Sequence, residues 1–336
     1  MQRRIMPRTS MDPVRLLLIS TTAVLSLMLL IEWNQYSDEY KKQQSELYTA
    51  AITEPGLVTS KQIAEPISQD INDGIPSVNQ ETNPLSVLLD NSETFNLSTD
   101  ALDLVISADG GDVVSASLPK FPVRLDTPEQ PFRLLENNNL RRYVAQSGLI
   151  GPDGIDASGN RARYASQGVT NNGNGSHTLT LAWTGNDPFG MQVYKRFTAH
   201  DDKYGVDVSF DVRNGGSSVA SITSFAQLKR DNTQAPDGNT GFGVSPYLGA
   251  ALTQPDERYT KLSFSDLKNE PFSKSLPAGW VAILQHYFVS AWIPSQQTTH
   301  DYFASQLSNG DNVIGYKNQN VDIAPGSVAT ITQTLY

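Results

Sequence analysis

The chain has 336 residues, 35 acidic against 25 basic side chains, a net charge of −10 and no cysteine. That acidic balance excludes a nucleic-acid binder, since no basic patch is present to neutralise phosphates. Zero cysteine excludes disulfide staples, a thiol nucleophile, a lipidated cysteine and Cys-ligated metal centres. The fold must therefore be held by its apolar core, which a domain beyond about 200 residues can supply.

In chain order, the first element is a membrane anchor. Arg3, Arg4, Arg8 and Arg15 precede an apolar run from Leu16 to Ile31, closed by Glu32-Trp33. The run alone is short for a spanning helix, which needs about 17–25 apolar residues. Extending it to residues 13–33 brings it into range, with Arg15 snorkelling at one flank and Trp33 at the opposite interface. A cleaved secretory signal would show small residues after Ile31, whereas the chain reads Glu-Trp-Asn-Gln-Tyr-Ser. The arginines put residues 1–12 in the cytoplasm by the positive-inside rule. The bulk of the chain is then expected outside the cytoplasmic membrane, which in a diderm bacterium means beyond the inner membrane, in the periplasm.

Residues 34–94 are rich in Gln, Ser, Thr, Asn, Glu and Pro, with Pro55, Pro66, Pro76 and Pro84 breaking any helical period. Such composition cannot bury enough apolar surface to offset ordering entropy, so a flexible linker is expected. Its span as a random coil is about 40 Å. Only Leu85 to Leu89 forms an apolar patch within it.

From Phe95 to the last residue the pattern becomes period-two alternation punctuated by Gly, Pro, Asn and Asp. Leu102, Leu104 and Ile106 alternate, Thr178 to Leu181 leads to Trp183, and Tyr204 to Val212 is the cleanest half-buried strand. Gly110-Gly111-Asp112 reads as a tight turn with positive φ supplied by glycine. Asp256 to Leu262 carries the one weak helical signal. Gly279 to Pro294 is the most apolar stretch of the domain, expected as one bent strand or two at its centre. A competing reading makes Trp280, Tyr287 and Trp292 an aromatic wall facing a partner or a cleft. Many short strands without αβ alternation point to one large all-β sandwich over residues 95–336.

No catalytic or cofactor motif stands out. The chain contains no Gly-x-Ser-x-Gly, His-Glu-x-x-His, phosphate-binding or dinucleotide-binding signature, and Gly241-Phe242-Gly243 runs into Val-Ser-Pro as a loop. His177 beside the Gly/Asn-rich loop reads as solvated, His286 as a hydrogen-bonded core residue and His300 as part of a polar loop. His200-Asp201-Asp202 at a hairpin turn is a poor cation site, because three adjacent side chains rarely converge. No metal ligand, cofactor or catalytic residue is expected.

Several long segments nevertheless resemble the YidC membrane protein insertase family of Gram-negative bacteria. They are MDPVRLLLIS (Met11 to Ser20), LDLVISADGGDVVSASLPKFP (Leu102 to Pro122), YVAQSGLIGPDG (Tyr143 to Gly154) and SFAQLKRD (Ser224 to Asp231). The order continues through YLGAALTQPDERYTKLSFSD (Tyr247 to Asp266), GWVAILQHYFVSAWIP and NVIGYK (Asn312 to Lys317). The resemblance implies a galactose-mutarotase-like β-supersandwich and a noncovalent, nucleotide-free role in inserting and folding inner-membrane proteins. It also implies nascent membrane proteins, Sec translocon accessory subunits and the lipid bilayer as partners. The family's five further transmembrane helices have no counterpart before Tyr336, so a fragment of a longer insertase is expected. The alternative is an anchored carbohydrate-binding or epimerase-like sandwich, which needs a general acid and base facing one pocket.

Overall fold

The computed structural model describes Met28 and residues 93–156, 161–185, 190–233, 247–285 and 287–336. The anchor with its flanks Arg15 and Trp33, the linker up to residue 92, the Gly241 loop and His286 lie outside the described residues. Among the described residues, no helix is long and apolar enough to cross a membrane.

From residue 93 on, the described residues form nineteen strands and one short helix, in order. The first five strands are β1 (Thr94–Ser98), β2 (Asp103–Ser107), β3 (Val113–Pro122), β4 (Pro131–Asn137) and β5 (Arg142–Ile150). Next come β6 (Tyr164–Asn171), β7 (Ser176–Trp183), β8 (Gln192–His200), β9 (Val206–Arg213) and β10 (Ala220–Arg230). Strands β11 (Leu248–Leu252) and β12 (Thr260–Leu262) precede helix α1 (Phe264–Leu267) and β13 (Phe272–Pro277). The chain closes with β14 (Val281–Gln285), β15 (Phe288–Ile293), β16 (Thr299–Gln306), β17 (Asn312–Lys317), β18 (Val321–Ile323) and β19 (Val328–Leu335).

They build two antiparallel sheets. One runs β1-β2-β3-β4-β5-β10-β17-β16-β13, with β18 paired to the start of β10; the other runs β12-β11-β14-β15-β19-β9-β8-β7-β6. The alternation read in the sequence sets which face each strand buries. In β9, Val206, Val208, Phe210 and Val212 are buried while Asp207 and Arg213 are exposed. Side chains from both sheets mesh into the main core, including Leu97, Ile106, Leu181, Phe197, Leu228 and Trp292.

The helix forms later than its sequence signal. Asp256 to Leu262 contains strand β12, and the single turn starts at Phe264, where the Ser263 hydroxyl accepts from the Asp266 amide at 3.1 Å. A serine cap with an acidic residue in the first turn offsets the short length. The apolar stretch after Gly279 folds as a hairpin, β14 against β15, pairing Val281 with Trp292 and Gln285 with Phe288.

Candidate functional site

Two features stand out: an apolar cleft open to solvent, and a buried charged cluster that joins the sheets. The cleft opens where the β2–β4 part of one sheet faces the β14–β15 hairpin, β19 and the start of β9 in the other. Its volume is about 240 Å³. Leu102, Leu104, Leu118 and Leu134 line one side; Tyr204, Val206, Phe288 and Leu335 line the other. Phe288 stacks on Phe132 with ring centroids 4.0 Å apart, and Phe121 meets it edge-on at 6.1 Å. Such pairs contribute about 0.5–1.5 kcal/mol each beyond area burial, so these walls are formed before any partner arrives. Tyr287, Phe121 and Tyr336 rim the opening as exposed aromatics.

The structure separates the three aromatics of the apolar stretch. Tyr287, at the tip of the β14–β15 hairpin, is 82% exposed and lines the cleft. Trp292, five residues on, is fully buried in the inter-sheet core, and its indole Nε1 donates to the Gln227 carbonyl at 3.0 Å. Trp280 is half-buried and lies 6.2 Å from Tyr259, away from the cleft lining. Of the three only Trp292 lies within a strand, β15; Tyr287 sits in the turn before it and Trp280 just ahead of β14.

Beneath the Gly110-Gly111 turn sits the charged cluster. Arg161 pairs with Asp112 and, at 2.9 Å, with Asp156, all three side chains being nearly or fully buried. Asp156 also accepts from the Leu149 and Ala162 amides, each at 2.9 Å. Lys195, reaching from β8 of the other sheet, donates to the Gly110 and Ser147 carbonyls at 2.9 Å each. Gly110 and Gly111 have φ of 75° and 58°. A Cβ on Gly110 would collide with the Arg161 guanidinium, and one on Gly111 would press on Lys195. Glycine is required here twice over, by backbone sign and by space.

Burial, its largest influence, pushes the Lys195 amine down to about 7, against the opposing pull of Asp112. Burial also disfavours the charge on Arg161, yet Asp112 and then Asp156 hold its proton above the usual arginine range. Because folded Lys195 releases its proton near pH 7 and the unfolded side chain only near about 10.4, the unfolded state binds more protons between those values. Stability is therefore expected to rise with pH through that window, by about 2 kcal/mol between pH of roughly 7 and 9. Urea titrations across pH check this, and Lys195→Met should flatten the slope. An unchanged slope in that variant would refute the assignment.

The histidines do not converge. His177 meets Asp201 at 3.2 Å between neighbouring hairpin turns and is half-buried, where a solvated residue was expected. His300 departs further from its expected polar loop. It lies in β16, 1% exposed, with Asn318 Oδ1 and the Ser295 carbonyl each 2.7 Å from one of its two ring nitrogens. Among the described residues, no group of three or more His, Asp or Glu is placed to hold a metal ion. Sequence reasoning missed Arg161 and Lys195 as partners of the glycine turn, since they lie 51 and 85 residues from Gly110.

The family model described as the YidC periplasmic domain matches residues 94–336. A protein named membrane protein insertase YidC from Pseudomonas entomophila (strain L48) is 35% identical over 336 residues, covering 97% of this chain. Its counterpart from Marinomonas sp. (strain MWYL1) is 35% identical over 338 residues. This chain spans 58% of the length of each of those two relatives. A galactose mutarotase related enzyme from Lactobacillus acidophilus superposes with a TM-score of 0.47 at 11% identity, covering 72% of this chain and 96% of that one. A putative aldose 1-epimerase from Escherichia coli K12 gives 0.41 at 12% identity, covering 72% and 98%. No chemistry passes to this chain from likenesses at that level. With most of its length matched by one family model, the chain belongs to the family of the YidC periplasmic domain.

Proposed function

We propose that this chain is the outer part of a membrane protein insertase, which holds apolar segments of newly made membrane proteins without covalent chemistry. Family membership over residues 94–336 and the open apolar cleft together support the reading. The cleft volume of about 240 Å³ falls below the roughly 300–1,000 Å³ of a small-molecule pocket. It suits one or two large side chains of an extended segment. Each such side chain gains about 1.5–3 kcal/mol on burial, so the hold is weak and reversible, as a chaperone-like surface requires. The observation that carries the proposal is this cleft, with preformed aromatic walls and exposed Tyr287 at its rim.

The sequence supports a setting for that surface. The run Leu16 to Ile31, flanked by Arg15 and Trp33, is suited to anchor the chain in the inner membrane with residues 1–12 cytoplasmic and residues 95–336 periplasmic. Residues 34–94 would then be the leash. The proposed partners are nascent inner-membrane proteins, Sec translocon accessory subunits and the lipid bilayer. An epimerase-like reading fares worse on chemistry: the cleft lining carries leucines, aromatics, valines, an alanine and a serine, with no carboxylate or imidazole side chain among the described residues.

A photoreactive amino acid at position 287 of the full-length insertase tests the reading in cells. Adducts with nascent inner-membrane proteins are expected from position 287 and not from position 170, on the far edge strand β6. Equal yields from the two positions, or adducts with lipid alone, would refute the cleft as the holding surface.

A further inference from the structure

The β6–β7 hairpin turn reads Asn172-Gly173-Asn174-Gly175, two of the four Asn-Gly steps in the chain. At such a step the glycine amide nitrogen can attack the asparagine side-chain carbonyl carbon, because no Cβ obstructs the approach. The four steps differ sharply in how they are held.

Asn174 and Gly175 are exposed, and the Asn174 side-chain oxygen accepts from the Ser176 hydroxyl at 2.5 Å. Ser176, 3% exposed, in turn accepts from the Asn172 side-chain amide at 3.0 Å. This relay polarises the Asn174 carbonyl towards attack, each hydrogen bond strengthening the next. Among the described residues the Gly175 amide donates to no acceptor, while its carbonyl accepts from the Asp201 amide at 2.9 Å. The Asp201 carboxylate stands beside Gly175, one oxygen 3.4 Å from where a Cβ would be, and its other oxygen meets His177 at 3.2 Å.

The other three steps are restrained. The Gly173 amide, which would attack Asn172, donates to Asn171 Oδ1 at 2.8 Å, and the Asn172 side-chain amide is tied to Ser176 and Thr178. Asn214 is buried, its side-chain nitrogen bonded to the Ser218 and Ile323 carbonyls at 2.7 and 2.8 Å and its oxygen to the Gly216 amide. Asn309 is held at both side-chain atoms by Asp311.

We propose that Asn174 is a self-modification site, where the Gly175 nitrogen closes a succinimide on the Asn174 side chain. A C–N bond forms between the Gly175 nitrogen and Asn174 Cγ, the Cγ–Nδ2 bond breaks, and ammonia leaves with the amide proton. Water then opens the ring at either carbonyl, leaving aspartate or its β-linked isomer. The product places a new carboxylate near Asp201 and loosens the contact between the two hairpin turns by like-charge repulsion.

The test is peptide mapping by mass spectrometry after incubating the full chain, folded and in urea, at mildly alkaline pH. In the folded chain a gain of about 1 Da is expected at Asn174, at least about tenfold faster than at Asn172 and faster still than at buried Asn214, which must open first. In urea the Asn172 and Asn174 rates should converge. Ser176→Ala should slow Asn174 severalfold in the folded chain only, and Asn174→Gln should abolish the gain. Equal folded-state rates at Asn172 and Asn174, or an Asn174 rate untouched by Ser176→Ala, would overturn the proposal.

Discussion

Replacing Asp156 by Ala is expected to lower the unfolding free energy by about 3–5 kcal/mol, the range for breaking a buried ion pair from one side. Three partners lose their acceptor at once: the Arg161 guanidinium and the Leu149 and Ala162 amides, all at 2.9 Å. Arg161 retains Asp112 but stays desolvated with half its compensation gone. The urea midpoint should fall steeply with an unchanged slope, since the unfolded chain exposes the same surface. Asp156→Asn keeps the shape and some acceptor capacity, so its loss should be smaller. If both variants unfold within about 1 kcal/mol of the parent, the cluster does not stabilise the fold.

Trp292→Ala is expected to cost a similar amount, about 3–5 kcal/mol, by a different route. Its indole is among the largest fully buried side chains and lies between the two sheets. Removing it leaves a cavity that the paired strands β14, β15 and β19 cannot collapse to fill, because their registers hold them apart. Trp292→Phe separates the terms. It refills most of the space but loses the donation to the Gln227 carbonyl, so about 1–2 kcal/mol should remain. Denaturation midpoints of the two variants measure the difference. A Trp292→Ala loss below about 1 kcal/mol would show that the indole is not packed as described.

Much of the strand pattern was legible because alternation is a local signal. Residues 204–212 read as a half-buried strand, and β9 buries its alternate residues. The Gly110-Gly111 turn was equally legible, since positive φ is a property of the residue itself, and both glycines adopt it. The helix was misplaced because its cap, Ser263 with Asp266, is a four-residue signal that a longer hydrophobic window overlooks. His300 was misread because burial of a histidine depends on partners supplied from elsewhere, here Asn318 and Ser295.

What the sequence determined by itself was the class of the chain: an acidic, cysteine-free β-domain behind an apolar run, with family segments in consistent order. Composition, period and turn chemistry act over a few residues, so they survive in a linear reading. Tertiary structure alone decided which residues share a place. It carried Lys195 across from the second sheet to the Gly110 carbonyl, put Tyr287 at a cleft rim and buried Trp292 in the core. It also seated Ser176 against Asn174 and drew Asp201 to Gly175. Those neighbours are set by sheet order and register, which depend on strand pairings far apart in the chain.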